Sequence, residues 1–133
     1  MANSVDVGIS EELSEIQLES KKHEWLSAVS WQKRVQACLA PTGISFTEWL
    51  VLDATWLLMH RTGDAVSQYE LGKDLELDEL TVWHAMAVLD HQGLVSRGRS
   101  LSGKGWRVVV TRKGAELLAA LEPSIEGASA ISS

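Results

Sequence analysis

Apolar residues recur with a helical period through the first third of the chain. The stretch from Ser10 to Leu39 predicts one long helix, with Glu11 and Glu12 near the positive end of its dipole. Pro41 and Gly43 end it. At 1.5 Å per residue this helix would be about 45 Å long. A domain of this size cannot cover such a length, so we expect a partner chain to cover it.

Three shorter helices follow in the hydrophobic pattern. The first of them begins at Ser45, with Glu48 at the capping-box position, and is apolar nearly all round, which predicts a central, buried helix. The last of them spaces its apolar residues to face a core, at Val82, Ala85, Met86 and Leu89. The three helices run from Ser45 to Gly63, from Ser67 to Leu75 and from Asp78 to Gly93, and Ser67 and Asp78 are expected to cap the second and third of them.

The period then changes to two. Leu94 to Arg99 and Trp106 to Thr111 read as strands on either side of Ser100–Gly105, a Gly- and Ser-containing loop. This pattern predicts a hairpin with a flexible tip. Thr111 then caps a last helix, which Pro123 stops.

This order of elements predicts a mainly α (α+β) fold, a winged helix-turn-helix. It has a long N-terminal dimerisation helix and a two-stranded β wing. The short third helix, a tight turn and the fourth helix form the helix-turn-helix unit. We expect a flexible N-terminus over residues 1–9, the dimerisation helix over 10–43, the winged helix-turn-helix domain over 44–123 and a flexible tail over 124–133.

Composition limits the class of protein. The chain has 133 residues, of which 45% are hydrophobic, enough for one core. Its single cysteine, Cys38, excludes an intrachain disulfide, and its apolar helical surroundings predict a buried, inert thiol. No apolar run reaches the length of a membrane span, and the N-terminus lacks a signal-peptide pattern. A cytoplasmic protein without membrane contact is therefore expected.

Positive charge is concentrated in one region of an acidic chain. The formal net charge is −6, yet all six bases after residue 92 lie between Arg97 and Lys113, with no acid among them. The fourth helix is different, since residues 76–92 contain neither Lys nor Arg. Because phosphate attraction supplies most affinity for DNA, the wing is predicted to hold DNA, and the fourth helix to discriminate among sequences.

Four segments carry a resemblance to a known family. Ser67–Asp78, Leu80–Val82, Leu89–Arg97 and Val110–Gly114 resemble, in order and spacing, the motifs of the MarR family of bacterial transcription regulators. The resemblance covers roughly residues 44–123. It implies a homodimer joined by terminal helices, binding to palindromic double-stranded DNA and, in many members, release of DNA by small aromatic acids.

The sequence also departs from that family. Basic residues are usual in the family at the positions of Glu79 and His84, and the wing tip is Gly103–Gly105 where an Asp and Arg pair is common. Only Lys104 can replace that arginine. The family's second long C-terminal helix also has no counterpart in the pattern after Pro123, which places more of the dimer interface on the first helix.

These arguments give a set of expected DNA contacts and one alternative. Phosphates would be held by Arg97, Arg99, Lys104 and Arg107 on the wing, with Lys73 helping from the third helix. Base edges would be met by Leu80, Thr81, Trp83 and His84 on the fourth helix. The same helix face is rich in apolar residues, which also suits contact with a protein. The alternative is therefore a winged-helix adaptor that docks a protein partner there and does not read DNA.

The six tryptophans leave two interpretations open. Trp25, Trp49 and Trp56 could line a pocket for a flat aromatic acid, with His60 or Arg61 holding its carboxylate. The same tryptophans could simply be large core and interface residues.

Other chemistry is not indicated. The four histidines, His23, His60, His84 and His91, lack partners at metal-ligand spacing, so neither a metal nor another cofactor is expected. No Ser–His–Asp order and no Gly-rich phosphate loop is present, so we predict that the protein is not an enzyme.

Overall fold

The computed structural model describes residues 3–99 and 105–132, and the side chains of residues 14–99 and 105–129. It is a winged helix-turn-helix, which confirms the predicted fold class. In chain order the elements are α1 (Asn3–Leu39), a single 3-10 turn (Ala40–Thr42), α2 (Phe46–Thr62), β1 (Val66–Ser67), α3 (Gln68–Leu75), α4 (Glu79–His91), β2 (Val95–Arg99), β3 (Trp106–Val110) and α5 (Arg112–Ser132).

Side chains cap the helices at the predicted positions. At the start of α2 the Ser45 hydroxyl accepts from the backbone N–H of Glu48 at 3.1 Å, and the Glu48 carboxylate accepts from the Ser45 N–H at 3.0 Å. Asp78 Oδ1 accepts from the Thr81 N–H at 2.7 Å at the start of α4. Each cap satisfies a backbone donor that the first turn leaves free. The capping signals in the sequence therefore place these helix starts correctly.

The turn between α3 and α4 is tight because of two backbone features. Glu76 takes the left-handed conformation, with φ of 54°, and ends α3. Leu77 then donates its N–H to the Gly72 carbonyl at 3.0 Å. A Cβ at Gly72 would lie 3.3 Å from Leu77 O and 3.4 Å from Val82 Cγ2. The absence of a side chain at this glycine lets α4 pack closely on α3.

The wing belongs to a three-stranded antiparallel sheet of order β1-β3-β2. In the wing itself Val95 pairs with Val110 and Arg99 pairs with Trp106, as the alternating pattern predicts. The sequence did not predict β1, which has only two residues and pairs Val66 with Val108. Two residues are too short for a period of two to be visible.

The core lies beneath α4, between α2 and the sheet. The four apolar residues predicted to face inward from α4 are all buried. Helix α2 supplies Val51 and Leu52, which are fully buried, but its Leu57 is 55% exposed. Helix α2 is therefore central, as expected, but it is not wholly buried, because one side of it faces solvent.

The C-terminal helix corrects the sequence-based prediction. Helix α5 continues through Pro123 to Ser132, so residues 124–132 are helical rather than a flexible tail. A proline removes one helical hydrogen bond, but packing against α1 offsets that loss. Ala128 is buried and its carbonyl accepts from Arg34 Nε at 3.2 Å, while Trp31 Nε1 donates to Ser129 Oγ at 3.0 Å.

The first helix is also longer than predicted. It begins at Asn3, whereas the sequence predicts a start at Ser10. Its C-terminal half enters the core through Val35 and Leu39, whereas residues 14–28 are exposed. Cys38 is half-buried, not fully buried, and its Sγ lies 3.6 Å from the Ser124 carbonyl oxygen. Within the described part of the chain no helix is long and apolar enough to cross a membrane.

Candidate nucleic-acid interface

Helix α4 presents the outer face that the sequence predicts. Leu80 is 65% exposed and Trp83 is 39% exposed. His84 is exposed as well. Thr81 is half-buried, and its backbone N–H donates to the capping carboxylate of Asp78. All four predicted base-contacting residues therefore lie in the first two turns of α4, and three of them are exposed to a ligand.

A contact between two tryptophans joins this helix to the wing. The ring centroids of Trp83 on α4 and Trp106 on β3 are 5.9 Å apart, in an edge-to-face arrangement. Such aromatic pairs add to the stability that burial alone supplies. Because the two rings touch, α4 and the wing form one continuous surface.

Arg97 lies inside this junction. Its Nε donates to Asp90 Oδ2 at 3.2 Å, and only 13% of its side chain is exposed. Its guanidinium carbon is 4.9 Å from the ring centroid of Trp83 and 5.7 Å from that of Trp106. Although the sequence places Arg97 among the phosphate contacts, its charge is largely engaged within the chain.

The other predicted cations are more accessible. Arg99 is exposed and lies 5.5 Å from the Trp106 ring centroid. Arg107 is exposed and donates from Nη1 to the Ala65 carbonyl at 3.0 Å. Lys73 is exposed, with Nζ 5.4 Å from the Tyr69 ring centroid. Lys104, the predicted substitute for the family's wing-tip arginine, lies outside the described residues.

Lys73 and Arg107 share a cleft with acids. Both line a space of about 410 Å³ between α3 and the sheet, together with Asp64, Glu70 and Asp74. Three carboxylates close to two cations reduce the positive potential there. Among the described wing cations, Arg99 is therefore the one best placed to attract a phosphate.

Sequence reasoning missed two members of this site. Asp90 fixes Arg97, and Trp106 forms one wall around its guanidinium. The available signal was an acid in the last turn of α4 followed, beyond the Gly93 turn, by an arginine on the next strand. Trp106 gave no such signal, because strand alternation alone does not say which neighbour a ring contacts.

The predicted effector residues do not all come together. Trp49 and Trp56 line a cavity of about 500 Å³ between α2 and α5. Trp25 is 65% exposed on α1 and is not in its lining. His60 also lies outside that lining, with its ring 4.0 Å from the ring of Trp56. The histidine expected to hold a ligand carboxylate is therefore not at the cavity.

Trp49 also has a packing role. It is 7% exposed, and its ring is 6.2 Å from Trp31 and 5.8 Å from Phe46. These three rings join α1 to α2. The interpretation of the tryptophans as core residues therefore holds for this one, which reaches the cavity from within the core.

Two carboxyl groups have altered pKa values. Burial raises the pKa of Asp53 on α2, and repulsion from Glu122 on α5 raises it further. Hydrogen bonds from Thr81 lower the pKa of Asp78, which favours the charged form of the α4 cap. Among the residues for which a structure is given, no group of three or more His, Cys, Asp or Glu side chains is placed so that it could hold a metal ion.

Comparison with known proteins places the fold. No family model matches the sequence, and no curated protein does. Among solved structures, a MarR transcriptional regulator from Methanosarcina mazei Go1 aligns with a TM-score of 0.71 and 23% identity, over 84% of this chain and 71% of that one. Reduced AbfR bound to DNA aligns with a TM-score of 0.75 and 18% identity, over 89% of this chain and 83% of that one.

A third structure carries a small molecule. CouR from Rhodococcus jostii RHA1 bound to p-coumaroyl-CoA aligns with a TM-score of 0.63 and 21% identity, over 74% of this chain and 66% of that one. The chain thus has the winged-helix fold of MarR transcriptional regulators, which agrees with the resemblance in its motifs.

Proposed function

We propose that this protein is a DNA-binding transcription regulator that acts as a homodimer. The observation that carries the proposal is the Trp83–Trp106 contact. It holds the outer face of α4 and the wing in one exposed surface, which is the pair of elements with which a winged helix enters the major groove and reaches the backbone.

The residues of this surface divide into two roles. Leu80 and His84 meet base edges, where an apolar side chain contacts a thymine methyl and an imidazole donates or accepts a hydrogen bond. Arg99 holds a phosphate, and Arg107 and, from the sequence alone, Lys104 are assigned further phosphate contacts. Arg97 holds the wing against α4 and does not itself contact a phosphate. Helix α4 is acidic and cannot attract phosphates, so the wing must do so.

The exposed half of α1 supports the dimer. Ile16, Leu18, Trp25 and Leu26 are each between 58% and 65% exposed along it. Several large apolar side chains exposed on a helix that projects from its own core are typical of a surface covered by a second chain. Two copies related by a two-fold axis would present two copies of α4 to a palindromic site.

The structural likeness to DNA-bound AbfR supports DNA as the ligand rather than the adaptor alternative. A small effector is also part of the proposal, since Trp49 and Trp56 of α2 line the cavity between α2 and α5, and CouR, of similar fold, is bound to p-coumaroyl-CoA.

Selection of DNA from a random library, followed by binding isotherms at several salt concentrations, tests the proposal. We expect enrichment of a palindrome and a steep fall of affinity with salt, since several phosphates are contacted. The variant that tests the role of the α4–wing contact is Trp83→Ala. It removes that contact and should weaken binding to the selected site. A protein that enriches no sequence and binds DNA no better than its Trp83→Ala variant would refute it.

A further inference from the structure

The outer face of α4 carries large apolar side chains that stay exposed. Leu80 is 65% exposed in the first turn, and Trp83 and Val88 are 39% and 37% exposed on either flank of the face. The core side of the helix is fixed by its four buried residues. Helical spacing then places one line of residues on the opposite side, formed by Leu80, His84, Ala87 and His91.

The side chains that usually identify a purine are missing from this helix. In the major groove, guanine is read by paired hydrogen bonds from Arg or Lys, and adenine by paired hydrogen bonds from Asn or Gln. Residues 79–91 contain none of these four residue types. Gln92 follows the helix, half-buried at the end far from Leu80. Arg97, which packs on Trp83, donates its Nε to Asp90. Helix α4 therefore reads no purine by a paired hydrogen bond.

The hydrogen-bonding groups that remain distinguish the bases only in part. His84 can form one hydrogen bond to a base edge, and so can the exposed His91 further along the helix. One such bond to N7 separates a purine from a pyrimidine but not adenine from guanine, because both purines carry that acceptor. The distinction between an A·T pair and a G·C pair must then come from another contact.

Leu80 can supply that contact. Thymine is the one base that presents an apolar group, its 5-methyl, in the major groove. Leu80 packed on this methyl removes apolar surface of both partners from water. Placed over cytosine, the same side chain would displace water from the amino group and return no hydrogen bond, which costs free energy. A single apolar contact therefore favours thymine and disfavours cytosine.

We infer that Leu80 is a specificity-determining residue, which reads the 5-methyl group of a thymine in each half-site. Ala87 lies on the same line of α4, where its small side chain offers a second, weaker apolar contact. The inference rests on the proposed function, since it names the chemical group that α4 meets in DNA. Continuity with the wing supports it, because the Trp83–Trp106 contact holds this apolar face beside the exposed Arg99.

Uracil in place of thymine tests the inference directly. Uracil keeps the base pair and every hydrogen-bonding group, and it lacks only the methyl. The probe is the palindromic duplex enriched by selection, with its thymines replaced by uracil one position at a time in both half-sites. At one position we expect a loss of affinity of about fourfold for each methyl, or about 15-fold for the two half-sites, as burial of a methyl group predicts.

Two matched variants identify the side chain that contacts the methyl. Leu80→Ala should weaken binding to the thymine duplex and reduce the uracil penalty at that position to less than about twofold, because the two changes remove the same contact. Leu57→Ala makes the same change at a residue that is 55% exposed on α2 and should leave both quantities unchanged. Circular dichroism checks that both variants are folded.

A second pair of duplexes restores the methyl on a different base. Cytosine at the same position should bind more weakly than thymine, since it has no methyl and faces Leu80 with an amino group. 5-Methylcytosine should recover about fourfold of that loss with the natural protein, and should recover almost none of it with Leu80→Ala. This arm separates recognition of the methyl from an effect of uracil on the shape of the duplex.

The contrary results are distinct. Uracil tolerated at every position, an equal uracil penalty in Leu80→Ala and the natural protein, or no recovery with 5-methylcytosine would overturn the inference, while the enriched palindrome would leave the proposed function standing. A protein that enriches no sequence would reject both. In that case the apolar face of α4 would have to serve another partner, as in the adaptor alternative.

Discussion

Arg97 donates a hydrogen bond from Nε to Asp90 Oδ2 at 3.2 Å, and this pair joins the wing to the last turn of α4. The guanidinium also lies beside the rings of Trp83 and Trp106. Its Nη1 is buried without a hydrogen-bond partner among the described residues. An arginine held in this way sets the position of the wing, whereas Arg99, two residues on, remains open to a phosphate.

The two arginines should therefore differ in their effect on DNA binding. Arg99→Ala should lower the slope of log K against log salt by about one, as expected for one lost phosphate contact. Arg97→Ala should leave that slope unchanged but lower the free energy of unfolding by about 1–2 kcal/mol, because a charged hydrogen bond is lost. Binding isotherms at several salt concentrations and urea unfolding measure the two effects.

Asp90→Asn is the control for this assignment. It retains a polar side chain beside Arg97 but removes the charge, so it should reproduce part of the Arg97→Ala loss of stability with no change in salt slope. A fall in slope for Arg97→Ala as large as that for Arg99→Ala would show that Arg97 contacts phosphate.

The proposed dimer depends on the exposed half of α1. Leu26→Asp should convert the dimer to a monomer, because it places a charge in an apolar contact, and sedimentation analysis measures this. Gln17→Asp lies on the opposite side of the helix from Leu26 and should leave the dimer intact. Removal of all of α1 is a poor test, since Val35 and Leu39 belong to the core. A Leu26→Asp protein that stays dimeric would contradict the assignment.

Much of the fold follows from local signals in the sequence. Caps at Ser45, Ser67 and Asp78 place three helix starts, because a short polar side chain satisfies a free backbone donor wherever the helix lies. The α4 core face follows from periodicity. Pro123 misled the prediction, because the local cost of a proline in α5 was outweighed by contacts with α1 that sequence spacing does not reveal.

The site was predicted less completely, because contacts between distant parts of the chain cannot be read from sequence spacing. Exposure of Leu80 and His84 follows from the helical wheel of α4. The engagement of Arg97 by Asp90 does not, because it depends on how strand β2 leaves the turn after α4. The repulsion between Asp53 on α2 and Glu122 on α5 was also missed, because the two residues are almost seventy residues apart in the chain.

Two glycines of α5 give opposite predictions for stability. A Cβ at Gly114 would clash with the Leu94 carbonyl oxygen and lie 2.8 Å from Val110 Cγ1. Gly114→Ala should therefore lower the free energy of unfolding by about 1–3 kcal/mol through overpacking. Gly127 has open space, so Gly127→Ala should raise it by up to about 1 kcal/mol. Urea unfolding compares them, and a stabilising Gly114→Ala would contradict the close packing of α5 on the wing.

The raised pKa of Asp53 predicts a dependence of stability on pH. Burial and then Glu122 raise this pKa, so the folded protein holds the proton to a higher pH than the unfolded chain does. The stabilising contribution of the protonated group is complete below its ordinary value of 3.8 and falls as pH rises through the folded pKa. Asp53→Asn should remove this fall and be more stable than the natural protein at neutral pH.

Urea unfolding across this pH range measures the effect, with Glu116→Gln as the control for general loss of a surface acid. An Asp53→Asn protein whose stability follows pH as steeply as the natural protein would show that another group is responsible.

The acidic start of α4 gives the last prediction. Glu79 is exposed in its first turn, next to Leu80 on the face assigned to DNA. Glu79→Arg replaces a charge that repels phosphate by one that attracts it. Binding should tighten on every sequence, with the salt slope steeper by about one. His84→Ala should instead weaken binding to the preferred site by about 1–3 kcal/mol and leave other sequences nearly unaffected.

Glu116→Arg makes the same change of charge on α5, away from the proposed surface, and separates a local effect from the change in net charge. Anisotropy measurements with the selected palindrome and a scrambled duplex compare the three variants. If Glu79→Arg and Glu116→Arg increase the affinity for DNA equally, the start of α4 does not face the phosphates. If His84→Ala weakens both duplexes alike, this residue does not read a base, and discrimination must come from another part of α4.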